Sequence, residues 1–288
     1  MSTKRAANTF LENAYQKCEI LALTHYENFP VASRFLPKKI RRPIAVIYAF
    51  AREADDIADE GDFTIASRLE QLEHYEKNLE KITQGIVPSH PVFIALNDVL
   101  KKHPTLPISL FFNLLTAFKQ DVIKKEYNDF EEVLNYCKYS ANPVGRLLLY
   151  LTNNASTENL SYSDDICTAL QLINFLQDLD SDLTLRDRCY LPIDEMHAMH
   201  ISKEDFKTHQ QSAAMQNFII TQLLRTERLL QNGSPLGKNL SGLFGFEIRI
   251  IINAANTIVQ QLKKRRCIYD RPTLKRWHWP KVLLTALK

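Results

Sequence analysis

Apolar residues recur at helical spacing along almost the whole chain, and strand-like alternation is nowhere sustained. From Asn8 to Tyr26, the residues Leu11, Tyr15, Cys18, Leu21 and Ala22 mark one buried helix face. Pro43 opens a second helix, because proline suits the first helical position. That helix runs through Ile44, Ile47, Tyr48 and Ala51 to about Glu60 and stops at Gly61. A more charged helix, about Ile65 to Lys81, ends in the breaker-rich stretch Gln84 to Pro91, and Pro104 and Pro107 separate the next two. Asp129 with Glu132 reads as a capping box for a further helix. Asn142-Pro143-Val144-Gly145 interrupts it, and since proline costs about 3 kcal/mol in a helix interior, a kink or break is predicted there. Helices over roughly Ser163–Asp182, Ser202–Asn232 and Leu243–Tyr269 follow, then a short tail around Trp277 and Trp279. No internal repeat or linker divides the chain. The reading is one all-α domain over residues 1–288, with a basic aromatic tail from about 270.

Composition agrees. Seven glycines in 288 residues are few for a fold of many tight turns. A net charge of +3, with no basic block interleaved with aromatics, argues against a nucleic-acid partner. The exception is the end of the chain, where Lys263, Lys264, Arg265, Arg266, Arg271, Lys275, Arg276 and Lys281 oppose only Asp270. Two readings stay open: a solvated basic tail whose indoles pack on the bundle, or a weak peripheral contact with an anionic membrane. Five widely spaced cysteines suggest neither disulfides nor zinc. With no signal-peptide core and no run near the ~18 apolar residues of a membrane span, the expected setting is cytoplasmic, with membrane contact confined to the tail.

Two acidic segments carry the chemistry. Asp55 and Asp59 are four apart on a predicted helix, so both carboxylates leave one face, and Arg52 precedes them on the same side. Alone, this could be a solvated acidic helix end. The same D-x-x-x-D spacing recurs at Asp178 and Asp182, with Asn174 one turn before and Gln171 before that. Polar groups striping an apolar helix need partners. Two such helices facing each other would form a cage of carboxylate oxygens suited to Mg²⁺ that also contacts phosphate.

A pair of Asp-rich helical motifs resembles the isoprenoid synthase fold, and here the squalene/phytoene synthase family, from about Tyr15 to Trp279. The resemblance rests on Tyr48 and Arg52 before the first motif, Tyr136-Cys137 with Val144-Gly145, Leu170-Gln171-Leu172-Ile173-Asn174, and Arg188-Cys189-Tyr190-Leu191-Pro192. Asn28 to Ser33, Asp56 to Gly61, Ser140 to Arg146, and Arg271-Pro272 with Trp277-His278-Trp279 are similar to the bacterial hydroxysqualene synthases of hopanoid pathways. In that branch presqualene diphosphate loses diphosphate and is captured by water, a sister enzyme supplies the substrate, and a flavoprotein reduces the alcohol. Two departures stand out. His25-Tyr26-Glu27-Asn28-Phe29 replaces a histidine followed by closely spaced serines, and the gap from Asp182 to Arg188 is one residue longer than usual. The lost hydroxyls favour the later half-reaction over condensation of two farnesyl diphosphates.

The resemblance implies a helical bundle with a central apolar cavity, built from stripes such as Phe111, Phe112, Leu115 and Phe118. It assigns Asp55, Asp59, Asp178 and Asp182 to Mg²⁺, and Arg52 and Arg188 to diphosphate oxygens. Asn174 and Gln171 would fix metal-bound water or diphosphate. Tyr48, Tyr136 and Tyr190 would steady carbocations through their rings or bind diphosphate through the hydroxyl. The competing readings are a condensing prenyltransferase of the same family and a non-catalytic helical assembly factor. The intact aspartate motifs argue against the latter.

Overall fold

The computed structural model describes residues 2–24 and 38–287. Its chain clusters into two compact units, the first Met1–Ile123 with Arg146–Ala155, the second Lys124–Gly145 with Ser156–Lys288. Helices dominate both, as the periodicity predicts.

The first unit is built on α1 (Ser2–Thr24), α2 (Lys38–Asp59), α3 (Ile65–Thr83), α4 (Pro91–Lys102) and α5 (Ser109–Ile123). Helix α2 packs against all four others. Its Phe50 is fully buried, with ring contacts to Tyr75, Phe93 and Phe111 at 5.2, 5.7 and 5.1 Å, the tilted and edge-on arrangements that aromatic quadrupoles favour. Phe111 and Leu115 belong to this core, while Phe112 and Phe118 are half-buried. Pro43 does not open α2 but lies inside it. So near the N-terminus, its missing N–H costs one intrahelical bond. The helix ends where expected, before Gly61 at φ +76°, a conformation glycine adopts without a Cβ penalty.

The second unit contains β1 (Glu126–Tyr127), α6 (Phe130–Ser140), the start of α7 (Asn142–Leu151), α8 (Thr157–Gln177), α9 (Leu179–Thr184), β2 (Cys189–Pro192), α10 (Ile193–Ala198), α11 (Lys203–Lys207), α12 (Ala213–Gly233), α13 (Leu236–Asn239), α14 (Gly242–Lys264) and α15 (Trp279–Ala286). Helices α8, α12 and α14 pack on one another around Ile173, Leu176, Phe218, Leu223 and Val259. By length and composition alone α14 could cross a membrane, but half of its apolar stretch is buried in the protein.

The break at Ala141 is where Pro143 predicts it. Beyond it α7 meets α8 closely: a Cβ on Gly145 would lie 2.3 Å from Ser163 Oγ and 2.5 Å from Cys167 Sγ, and Thr168 Oγ1 donates to Asn142 Oδ1 at 3.0 Å. The capping box at α6 is half formed. Asp129 accepts from the Glu132 N–H, but Glu132 reaches back to the Asn128 N–H instead.

Three further expectations are corrected. The helix ending at Asp182 is two helices, because Asp178 (φ −98°, ψ 13°) leaves helical geometry and both ends α8 and begins α9. The helix over Ser202–Asn232 is also two. Ser202 caps α11, His209 turns at φ +55°, and Ser212 caps α12 anew. The final long helix ends at Lys264 rather than Tyr269. In addition, β1 and β2 pair in parallel, with the Cys189 N–H donating to Lys125 O at 2.8 Å.

Candidate functional site

The first motif lies at the C-terminal end of α2, where acids oppose the helix dipole. Two arginines offset that. Arg68 of α3 donates to the carbonyls of Ile57 and Glu60, both at 2.9 Å, and to Gly61 O at 2.7 Å. Arg52 pairs with Asp56 and Glu60 at 2.6 Å and lies 3.5 Å from Asp55. Burial works against the Arg52 charge, and the surrounding carboxylates outweigh it, so its pKa rises. Arg52 therefore sits where the spacing puts it, engaged by acids of its own helix.

Asp55 keeps 43 % of its side-chain exposure, yet its pKa is pushed up to about 7 by desolvation first and then by Asp59, against the pull of Arg52. Asp121, buried on α5, adds to the negative field. Sequence spacing within α2 carries no sign of Asp121, which reaches the motif by tertiary packing. Tyr48 is half-buried one turn before Arg52.

In the second unit, Asp178 forms the α8–α9 break and Asp182 lies within α9. Arg271 donates through Nε to Asp178 Oδ1 and through Nη2 to Oδ2 at 3.4 Å. Arg186 donates to Asp182 Oδ1 at 3.0 Å. Asp182 is nearly enclosed, and its pKa is raised to about 6 by burial, opposed by Arg186 and, more weakly, by Arg188. Arg188 is itself 6 % exposed, and its N–H donates to Asp182 O at 2.8 Å. Gln171 and Asn174 are half-buried on α8.

The segment after α14 is stitched to this motif. Arg265 donates to Leu176 O at 3.0 Å and to Asp270 O at 2.9 Å, and Gln177 donates to Pro272 O at 2.6 Å. Burial brings the Arg265 pKa down to about 10. The tail's Arg271-Pro272 thus belongs to the second motif's setting, a contact bridging 93 positions that no local pattern reveals.

Strand β2 sets Tyr190 beside Tyr136 of α6. Tyr190 stacks on Phe175 at 4.0 Å and 4°, with Tyr136 at 5.4 Å and Tyr127 at 5.5 Å. Two of the three predicted tyrosines are therefore brought together within this unit. Tyr127 and Phe175 complete the cluster without having been singled out, since each reads from sequence as ordinary core.

Among the described residues no group of three or more His, Cys, Asp or Glu side chains converges on one point. Each motif instead offers two carboxylates, which suits Mg²⁺: it is commonly held by one or two carboxylates, with substrate phosphates and water completing its shell. The raised pKa values of Asp55 and Asp182 fit a donor set that gains from a cation. The His25–Phe29 segment lies outside the described residues.

The profile of the squalene/phytoene synthase family matches residues 23–282. The hydroxysqualene synthase of Rhodopseudomonas palustris is 36% identical over 250 residues, 86% of this chain and 84% of that protein. That of Zymomonas mobilis is 34% identical over 250 residues, covering 85% and 82%. The crystal structure of a squalene synthase from Alicyclobacillus acidocaldarius matches with a TM-score of 0.82 at 29% identity, covering 91% of this chain and 97% of that one.

Proposed function

Because the chain belongs to the squalene/phytoene synthase family, whose members build isoprenoids from prenyl diphosphates, we propose that it converts presqualene diphosphate and water into hydroxysqualene and diphosphate. The carbon–oxygen bond to diphosphate breaks with both electrons leaving on diphosphate. The cyclopropylcarbinyl cation rearranges, water adds through oxygen, and one proton is released. The observation that carries this reading is the likeness to hydroxysqualene synthases along most of both chains.

The residues fit the roles. Asp55 with Asp59, and Asp178 with Asp182, are the carboxylates that would hold Mg²⁺. Bound there, the ion supplies charge neutralisation that makes diphosphate a leaving group. Arg188 and Arg52 present guanidinium forks for diphosphate oxygens, Arg52 by exchanging Asp56 or Glu60 for substrate. Gln171 and Asn174 offer amides to bound water or diphosphate. The aromatic cluster of Tyr190, Tyr136 and Phe175 would give quadrupole stabilisation to a cation beside it, and Tyr48 offers a ring and hydroxyl beside Arg52.

A condensing activity is the second reading, favoured by the squalene synthase among the structural relatives. Incubation of purified protein and Mg²⁺ with presqualene diphosphate or with farnesyl diphosphate, each with and without NADPH, separates the two. The proposal expects the alcohol from presqualene diphosphate regardless of NADPH and little product from farnesyl diphosphate. Rapid conversion of farnesyl diphosphate to presqualene diphosphate or a hydrocarbon assigns the condensing reaction instead.

A further inference from the structure

The last helix presents an apolar stripe that its own packing does not use. Helix α15 packs on α14 and buries Val282 and Ala286. Arg249 fixes its end, donating through Nε to Ala286 O and through Nη1 to Gly237 O, both at 2.6 Å. The 3-10 turn Arg276–His278 before it is closed by the Lys275 N–H donating to His278 Nδ1 at 2.9 Å. The segment is therefore a formed surface rather than a loose tail. Its outward side carries Trp277, Leu284 and Leu287, exposed by 67, 64 and 69 %, with Leu283 at the edge.

The segment itself carries one sign of charge. Lys275, Arg276 and Lys281 are exposed beside these residues, the Lys275 ammonium lies 5.0 Å over the Trp277 ring, and no acidic residue occurs between 271 and 288. Two copies of such a face would repel, whereas an anionic surface satisfies it. Eight residues of helix span about 12 Å, far short of the roughly 30 Å of a bilayer core, so this element can lie on a membrane but not cross one. We propose that this face docks onto an anionic lipid bilayer. Trp277 sits at headgroup level, Leu284 and Leu287 reach among the acyl-chain ends, and Lys275, Arg276 and Lys281 lie against lipid phosphates. The inference is independent of which reaction the enzyme runs.

The test is flotation of the full chain with vesicles of phosphatidylcholine, alone or with one-third phosphatidylglycerol, at low and high salt. The proposal expects binding to the anionic vesicles that weakens severalfold with salt, and little on phosphatidylcholine. Lys281→Gln should lower vesicle affinity about fivefold, the effect of one basic residue near such a surface. Trp277→Ser with Leu284→Ser and Leu287→Ser should abolish binding while leaving the circular dichroism spectrum intact, and Leu284→Ser alone should weaken it if the triple variant fails to fold. Equal, salt-insensitive binding to both vesicle types would overturn the proposal. So would a wild-type dimer, seen by sedimentation, that Leu284→Ser dissolves, because a second copy would then cover the stripe.

Discussion

Asp55 and Asp182 hold their protons more tightly in the folded chain than an ordinary carboxyl does, to about 7 and about 6. An acid whose folded pKa lies above its unfolded value favours the fold when protonated, so its contribution is full at low pH and is lost as pH rises through the folded value. Metal-free protein should therefore lose stability between about pH 4 and 7 from these two groups. Asp55→Asn should flatten part of that slope and be the more stable protein at pH 8, as read from urea midpoints in EDTA. The same substitution should lower turnover by more than the roughly 10–100-fold typical of outer-shell changes at metal sites. Near-normal turnover would remove Asp55 from the metal-binding set. Because carboxylates bind metal deprotonated, Mg²⁺ affinity measured by calorimetry should rise up to about pH 7, with proton release below it. Arg271 pairs with Asp178 and would compete with a cation there, so Arg271→Gln should tighten Mg²⁺ binding. It should cost no more than about 1 kcal/mol in metal-free stability, as expected for a half-exposed pair. The repeated spacing of the four aspartates was legible in the sequence, although only Asp55 and Asp59 share one helix in the structure. Arg68 and Asp121 were not, since each arrives from another element and looks like ordinary surface or core in its own stretch, and Arg271 stood out by resemblance but not for its pairing with Asp178.

Helix ends make their own predictions. A Cβ on Gly245 would lie 1.9 Å from Leu240 O, whereas one on Gly145 meets only the side chains of Ser163 and Cys167. A side chain can turn aside and a helix-end carbonyl cannot. Gly145→Ala should cost about 1–3 kcal/mol, the usual range for overpacking, and Gly245→Ala should cost more. Urea denaturation of both variants gives the order directly, and a milder Gly245→Ala would contradict the close backbone approach. Helices bounded by Pro or Gly, such as α2 at Gly61 and α6 before Pro143, were readable at their ends. The break at Asp178 was not, because no breaker residue marks it and the apolar period runs on through Leu179 and Leu183. The strands β1 and β2 have two and four residues, too short for an alternation to register, so they could be found only in three dimensions.

For the whole molecule, the all-α class followed from periodicity and the scarcity of glycine, and the family from two acidic motifs in order with their flanking residues. The choice between water capture and condensation is of another kind. It depends on where a cation rearranges and what reaches it first, which spacing along a chain does not encode. Within the second unit the structure gathers Tyr136, Tyr190, Tyr127 and Phe175 into one largely buried cluster, and the proposed reaction would use it to steady a cation before water reaches it. Tyr190→Ala should lower turnover by roughly tenfold or more, the loss of about 2 kcal/mol from a desolvated cation–π contact, with Mg²⁺ affinity unchanged. The most direct measurement of the central claim is mass analysis of the product formed from presqualene diphosphate and Mg²⁺ in oxygen-18 water. Capture of the cation by water predicts hydroxysqualene carrying one oxygen-18, unaffected by NADPH. An unlabelled hydrocarbon as the main product would contradict it.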